Sequence, residues 1–181
     1  MESIFKFIKE HTNRVYFWNK LAVTIIILGL WIIDSGFFTS ESNSLLATGL
    51  VVMILSTLTF GVIFKNHTYN EKTIQTFLLI DIVNCFVFVL PAVYLNILFT
   101  IILLSLLANI ALFLNDNQKT TALVTYFILL IGMTIFYGAI NEIHDYKMAL
   151  GSLVLFSVVF YVPIEMGVKS LNLFEKRVHE L

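Results

Sequence analysis

Residues 73–114 read TIQTFLLIDIVNCFVFVLPAVY followed directly by LNILFTIILLSLLANIALFL. Each half is an apolar run of about 20 residues, which is the length of helix that crosses the hydrocarbon core of a bilayer. A break at Tyr94-Leu95-Asn96 separates the two halves. The stretch therefore predicts two membrane-spanning helices that fold back on each other as a hairpin.

Polar residues lie inside both halves of this hairpin. Asp81 and Asn84 are three residues apart in the first half. Ser105 and Asn109 are four apart in the second half, so each pair shares one face of its helix. If the chain turns near residue 95, Asp81 faces Asn109. Asn84 then faces Ser105, and the sequence predicts a polar ladder across the two helices.

The composition excludes a water-soluble domain. Of the 181 residues, 59% are hydrophobic and 13% charged, against about 45–50% and about 25% in soluble proteins. A formal net charge of −1 offers no basic surface for nucleic acid, so we expect no nucleic-acid partner. The single cysteine, Cys85, excludes an intramolecular disulfide and a cysteine-based metal site, and we expect it to be a packing residue. We expect neither a metal nor a cofactor.

Apolar runs of similar length flank the hairpin and are separated by short polar loops. The chain is therefore predicted to be an all-α polytopic integral membrane protein, with six transmembrane helices in one bundle over residues 21–168. The predicted spans cover residues 21–38, 45–64, 74–92, 97–114, 121–140 and 148–168.

The two ends of the chain are predicted to lie at the membrane surface. Residues 1–20 mix apolar and basic side chains, which is typical of an interfacial amphipathic helix. Residues 169–181 predict a short cytosolic amphipathic helix, because its apolar residues recur every three or four positions. These are Leu171, Phe174, Val178 and Leu181.

The basic residues set the orientation. Ten of the eleven fall on one side of the predicted spans, and Lys147 alone falls on the other. We therefore expect a protein of the plasma (inner) membrane with both termini in the cytoplasm.

Small residues four positions apart let membrane helices approach closely. Two pairs within the predicted spans have this spacing, Thr57 with Gly61 and Thr134 with Gly138.

Asp81 is the main functional candidate, since a charge inside a bilayer is costly and marks a functional site by default. No Lys or Arg falls inside a predicted span to pair with it. We expect it to be a protonated donor to Asn109 or a carboxylate in a wet cavity. Two interpretations stay open. Asp81 is either a proton- or cation-binding group on a transport path or, with Asn84, Ser105 and Asn109, part of a structural clamp.

Further carboxylates lie near the ends of the predicted spans. Asp34 and Glu142 fall on the outer side, where they would form an acidic approach that attracts cations. Glu165 is predicted to pair with Lys169 one turn later, or to be a second carboxylate on the path. No His falls inside a span to activate a Ser or Cys nucleophile, so we do not expect an enzyme.

These observations favour a small membrane transporter or channel subunit for a cation or proton, with Asp81 as its titrating group. The alternative is a non-transporting membrane module that binds a membrane-protein partner or a lipid, with a purely structural polar ladder. The lipid bilayer is the one partner that the composition requires. A homo-oligomer or a membrane-protein partner is compatible with either interpretation.

Overall fold

The computed structural model describes residues 11–33, 40–66, 71–89, 97–140 and 146–180. Within these ranges all regular structure is helical, as predicted, and there are six α-helices. They are α1 (Thr12–Ile33), α2 (Ser40–Asn66), α3 (Glu71–Asn84), α4 (Ile97–Phe113), α5 (Asp116–Ile140) and α6 (Tyr146–Glu180). After Asn84, α3 continues as a π-helix over Cys85–Val89.

Three of these helices are long and apolar enough to cross a membrane. The spanning segments are Leu45–Ile63 in α2, Asp116–Ile140 in α5 and Lys147–Phe174 in α6. The apolar part of α4, Thr100–Phe113, is shorter. The chain therefore has helices compatible with membrane insertion, while the count of six spans and their orientation stay predictions.

The distribution of side chains on α5 fits a helix that faces lipid. Its buried residues recur every three or four positions, so they form one face, and they include Lys119, Thr134 and Gly138. On the opposite face Ile128 is 65% exposed and Phe136 is 54% exposed. A helix that buries small and polar residues while exposing large apolar ones suits a hydrocarbon environment.

Two helices each join segments that the sequence predicted to be separate. α1 begins at Thr12, so the last residues of the predicted interfacial segment belong to the same helix as the first span. α6 continues to Glu180, which makes the predicted tail an extension of the sixth span. The first junction carries no glycine or proline, and α6 continues through Gly167 at the second. Residues 1–10 and Leu181 lie outside the described ranges.

The helix contacts place α3 and α4 inside the bundle: α3 packs against α2, α4 and α5, and α4 also packs against α1, α5 and α6. α1 packs on α2 and α4, and α6 packs on α4 and α5. The two halves of the predicted hairpin, α3 and α4, are therefore neighbours. The turn between them, at residues 90–96, lies outside the described ranges.

Gly61 allows α1 and α2 to approach closely. A Cβ at this position would lie 2.9 Å from Cε2 of Phe17 on α1, which is closer than two carbons can pack. Thr57, one turn earlier, is buried and donates its hydroxyl to the Met53 carbonyl oxygen over 2.7 Å. The predicted spacing of small residues thus lies at a helix contact.

We expect Gly61→Ala to lower stability by about 1 kcal/mol, because the added methyl group overpacks the contact with Phe17. Gly132→Ala is the matched control, since a Cβ at Gly132 meets nothing within 4 Å. Thermal unfolding of the purified protein in detergent measures both. Equal unfolding temperatures for the two variants would contradict the close contact.

Candidate functional site

The carboxylate of Asp81, on α3, is bonded by two side chains from α1. The Lys20 ammonium donates to Oδ1, and the Tyr16 hydroxyl donates to Oδ2 over 3.1 Å. The Lys20 side chain is 4% exposed and that of Asp81 is 14% exposed. Lys20 and Asp81 therefore form an ion pair in the interior of the bundle, hereafter the Lys20–Asp81 pair.

Aromatic packing holds the pair in place. Tyr16 is fully buried, and its ring meets Phe60 of α2 and Phe113 of α4 edge to face, with centroids 5.0 and 5.5 Å away. The Lys20 Nζ lies 5.7 Å from the centre of the Phe77 ring, within the range of a cation–π interaction. Because these rings come from three other helices, the position of α1 depends on the whole bundle.

A third residue of α1 bonds the other half of the hairpin. Asn19 Nδ2 donates to Asn109 Oδ1 on α4 over 2.5 Å. Tyr16, Asn19 and Lys20 occupy positions i, i+3 and i+4, so they project from one face of α1. This face supplies bonding partners to both α3 and α4.

The predicted partner of Asp81 is therefore wrong. Asp81 bonds Lys20 and Tyr16 instead of Asn109, and the expectation that no basic side chain pairs with it fails. The sequence argument assigned Lys20 to the interfacial segment before the first predicted span, which left Asp81 without a basic partner. An isolated charge is costly in a bilayer, but an opposite charge in contact offsets that cost. The spacing of Tyr16, Asn19 and Lys20 is the signal that could have identified the pair.

Asn84, one turn after Asp81, is 3% exposed. Its Nδ2 donates to the carbonyl oxygen of Gly49 on α2 over 3.1 Å, not to Ser105. Its Oδ1 is buried and has no hydrogen-bond partner within the described residues. The π-helix begins at the next residue, Cys85, and such segments occur frequently at functional sites.

All four residues of the predicted ladder line one small cavity. Its volume is about 30 Å³, which is room for one or two water molecules. We call it the polar cavity. Besides apolar residues, its lining includes Lys20, Asp81, Asn84, Cys85, Ser105 and Asn109. The hairpin therefore brings the predicted residues together around a shared space, although they do not bond one another as the ladder required.

Asp34 and Glu142, the predicted outer approach, lie outside the described residues. The structure therefore leaves that approach a prediction. Within the described ranges, no three His, Cys, Asp or Glu side chains come together to hold a metal ion.

A second ion pair joins α5 to α6. Lys119 Nζ lies 2.9 Å from Oε2 of Glu165, and both side chains are largely buried. Lys169 Nζ lies 3.4 Å from Oε1 of Glu165, so the predicted pair one turn apart is confirmed. Tyr161 also donates to Glu165, over 3.2 Å. The sequence argument missed Lys119, which is 46 residues from Glu165 along the chain.

The start of α5 fixes the position of Lys119. Asn115 Oδ1 accepts the backbone N–H of Gln118 over 3.1 Å, and Gln118 Oε1 accepts the N–H of Asn115 over 3.5 Å. This reciprocal arrangement is a capping box. Further along, Tyr126 of α5 and Ser157 of α6 share a hydrogen bond of 3.0 Å.

Beyond that bond an apolar groove of about 590 Å³ opens between α5 and α6, with Lys147 at its edge. Its walls are aliphatic residues such as Ile131, Ile135 and Val154. It has none of the clustered polar groups of the polar cavity, so we place the candidate site at the Lys20–Asp81 pair.

No protein-family model, curated protein or solved structure matches this chain. The chemistry of the site is therefore the ground for a functional proposal.

Proposed function

We propose that the chain is a small membrane transporter or channel subunit for a proton or a cation, and that the Lys20–Asp81 pair is its charge-carrying site. The observation that supports this is an ion pair buried among apolar helices beside a polar cavity. Replacing such a pair by apolar residues of similar volume is often neutral or stabilising. Stability alone therefore gives little reason for the pair, whereas intramembrane charges commonly mark ion and proton pathways.

The pair also has the chemistry to couple ion binding to movement. When Asp81 accepts a proton, a new O–H bond forms on the carboxylate and the attraction to Lys20 is lost. Lys20 then carries a buried charge without a counter-charge, which is unfavourable. The charge is relieved when Lys20 releases a proton or when α1 moves away from α3. One proton bound thus changes the contact between two helices.

The second candidate is a non-transporting membrane module that binds a membrane-protein partner or a lipid. It is favoured by the bonding of the pair, because each carboxylate oxygen of Asp81 already accepts a bond from α1. In this function the pair, together with the bond from Asn19 to Asn109, would hold α1 on the hairpin. The polar cavity would then have no carrier role.

Proton and cation flux into liposomes that contain the purified protein tests the proposal. We expect flux from the native chain and none from Asp81→Asn. The amide keeps the shape of the side chain; its oxygen can still accept a bond from Lys20 and its NH2 group can donate to the Tyr16 hydroxyl, but it cannot carry a proton or a negative charge.

The matched control is Glu165→Gln, which makes the same chemical change in the ion pair between α5 and α6. We expect this variant to retain flux, because Glu165 does not line the polar cavity. Full flux from folded Asp81→Asn protein would reject the assigned site. No flux from folded native protein under any gradient would favour the partner-binding module.

A further inference from the structure

One residue that lines the polar cavity, Asn84, has an unused hydrogen-bond acceptor. Asn84 Oδ1 is buried and has no partner within the described residues, while the bond from Nδ2 to Gly49 fixes the orientation of the amide. An amide oxygen has two lone pairs and accepts bonds readily. Buried polar atoms in native proteins nearly always have a protein or water partner. The vacant acceptor therefore points to a small hydrogen-bond donor in the cavity.

The size and lining of the cavity limit what that donor is. A volume of about 30 Å³ accommodates one or two water molecules. A buried water needs two to four polar partners, and the walls offer the amide of Asn84, the hydroxyl of Ser105 and the carboxylate of Asp81. A water molecule meets these requirements.

A metal cation fits the same space poorly. Hard cations such as Mg²⁺ and Ca²⁺ require about six to eight oxygen ligands, more than this cavity presents. The carboxylate of Asp81 already holds the Lys20 ammonium, so the pair carries no net charge. The ammonium itself lines the cavity and repels a metal cation that must keep its charge there, whereas a proton that reaches Asp81 becomes part of a neutral O–H group.

We propose that the polar cavity holds a water molecule that donates to Asn84 Oδ1, and that the species carried at this site is a proton rather than a metal cation. The water site is inferred from the volume and lining of the cavity and from the unpartnered Asn84 Oδ1, and it does not depend on the proposed function. The choice of the proton rests on the proposed function, since it names the species that the Lys20–Asp81 pair would carry.

The water provides a route for a proton to Asp81. A hydronium ion at the water position transfers a proton to the carboxylate. One O–H bond of the hydronium breaks, one O–H bond forms on Asp81, and a neutral water remains beside Asn84. The titratable groups that face Asp81 within the described residues are Lys20 and Tyr16 from α1 and Cys85 from the π-helix.

Cys85 is a built-in reporter for this water, because it lines the cavity and is the only cysteine in the chain. The infrared S–H stretching band of the reconstituted protein belongs to this residue alone, and its loss in Cys85→Ala verifies the assignment. On transfer to D₂O, a wet cavity lets the thiol exchange to S–D. We expect this exchange in the native protein to be at least ten times faster than in Asn84→Leu.

Asn84→Leu removes the acceptor and fills the cavity. A second variant, Ser105→Val, fills the cavity from α4 and is expected to slow the thiol exchange in the same way. This variant replaces Asn84→Leu in the test if Asn84→Leu does not fold. Slow exchange in the native protein would overturn the water site. Equally fast exchange in the native protein and in the folded filled variants would overturn it as well.

Flux measurements then test, independently of the water site, whether the carried species is a proton or a metal cation. We expect a pH gradient to drive flux, and a Na⁺ or K⁺ gradient at constant pH to drive none. Flux driven by a metal-ion gradient would overturn the choice of the proton. Fast thiol exchange without flux under any gradient would support the water site. The same result would reject the proposed function and, with it, the assignment of the proton.

Discussion

The Asp81→Leu variant is expected to lose about 3–5 kcal/mol of unfolding free energy, because removing one partner of a buried ion pair leaves the other charge uncompensated. Here the remaining charge is the Lys20 ammonium, whose side chain is 4% exposed. Denaturant unfolding of the detergent-solubilised protein, monitored by circular dichroism, measures the loss.

The double variant Lys20→Met, Asp81→Leu separates the charge from the packing. It removes both charges and keeps apolar side chains of similar volume, so we expect it to lose no more than about 2 kcal/mol, mainly because the buried Tyr16 hydroxyl no longer bonds Asp81. Lys169→Met is the control for removing an exposed lysine from an ion pair, since Lys169 is 62% exposed and Glu165 keeps Lys119 as a partner. Its expected cost is below about 1 kcal/mol. If the double variant were as unstable as Asp81→Leu, the buried charge would not be the cause.

The Tyr16→Ala variant is expected to lose about 3 kcal/mol or more, because truncating a buried aromatic ring leaves a cavity that the bundle fills only in part. Tyr16 has no exposed surface and packs against Phe60 and Phe113 from two other helices. Tyr16→Phe keeps the ring and removes the hydroxyl that bonds Asp81. Its expected cost is about 0.6–1.7 kcal/mol, the range for hydrogen bonds between membrane helices.

The same unfolding assay measures both tyrosine variants. A large loss in Tyr16→Ala with a small one in Tyr16→Phe means that the ring positions α1 and the hydroxyl adds a modest bond. Equal, large losses in both would contradict this, since they would assign the energy to the hydroxyl and not to the aromatic packing.

The location of the site was largely predictable from the sequence. Asp81 and Asn84 share one helix face and Ser105 and Asn109 share another, so a hairpin necessarily brings the two sets near each other. The four residues do line one cavity. Spacing along a helix determines which residues share a face, and this property is local enough to be inferred from the sequence.

The bonding within the site was not predictable from the hairpin alone. Asp81 and Asn109 are each bonded by α1, whose residues lie 61 to 90 positions away along the chain. Glu165 likewise has a partner, Lys119, that lies 46 positions away. Such contacts depend on how whole helices pack. A buried lysine is tolerated only beside an opposite charge, so its burial cannot be predicted until that partner is identified. The π-helix after Asn84 has no clear sequence signal either.

The shape of the Lys20–Asp81 pair and its charge are expected to have different effects, the first on stability and the second on transport. The packing around the pair stabilises the bundle, and apolar residues of similar volume can provide it equally well. Under the proposed function, the charges serve ion movement. Stability and transport should therefore be separable in one variant.

The measurement that tests this claim most directly is proton uptake by liposomes that contain either the native protein or the Lys20→Met, Asp81→Leu double variant, each with its unfolding curve. We expect the double variant to fold, with an unfolding free energy within about 2 kcal/mol of the native value. We expect proton uptake with the native protein and none with the double variant. Uptake at the native rate by the folded double variant would contradict this claim.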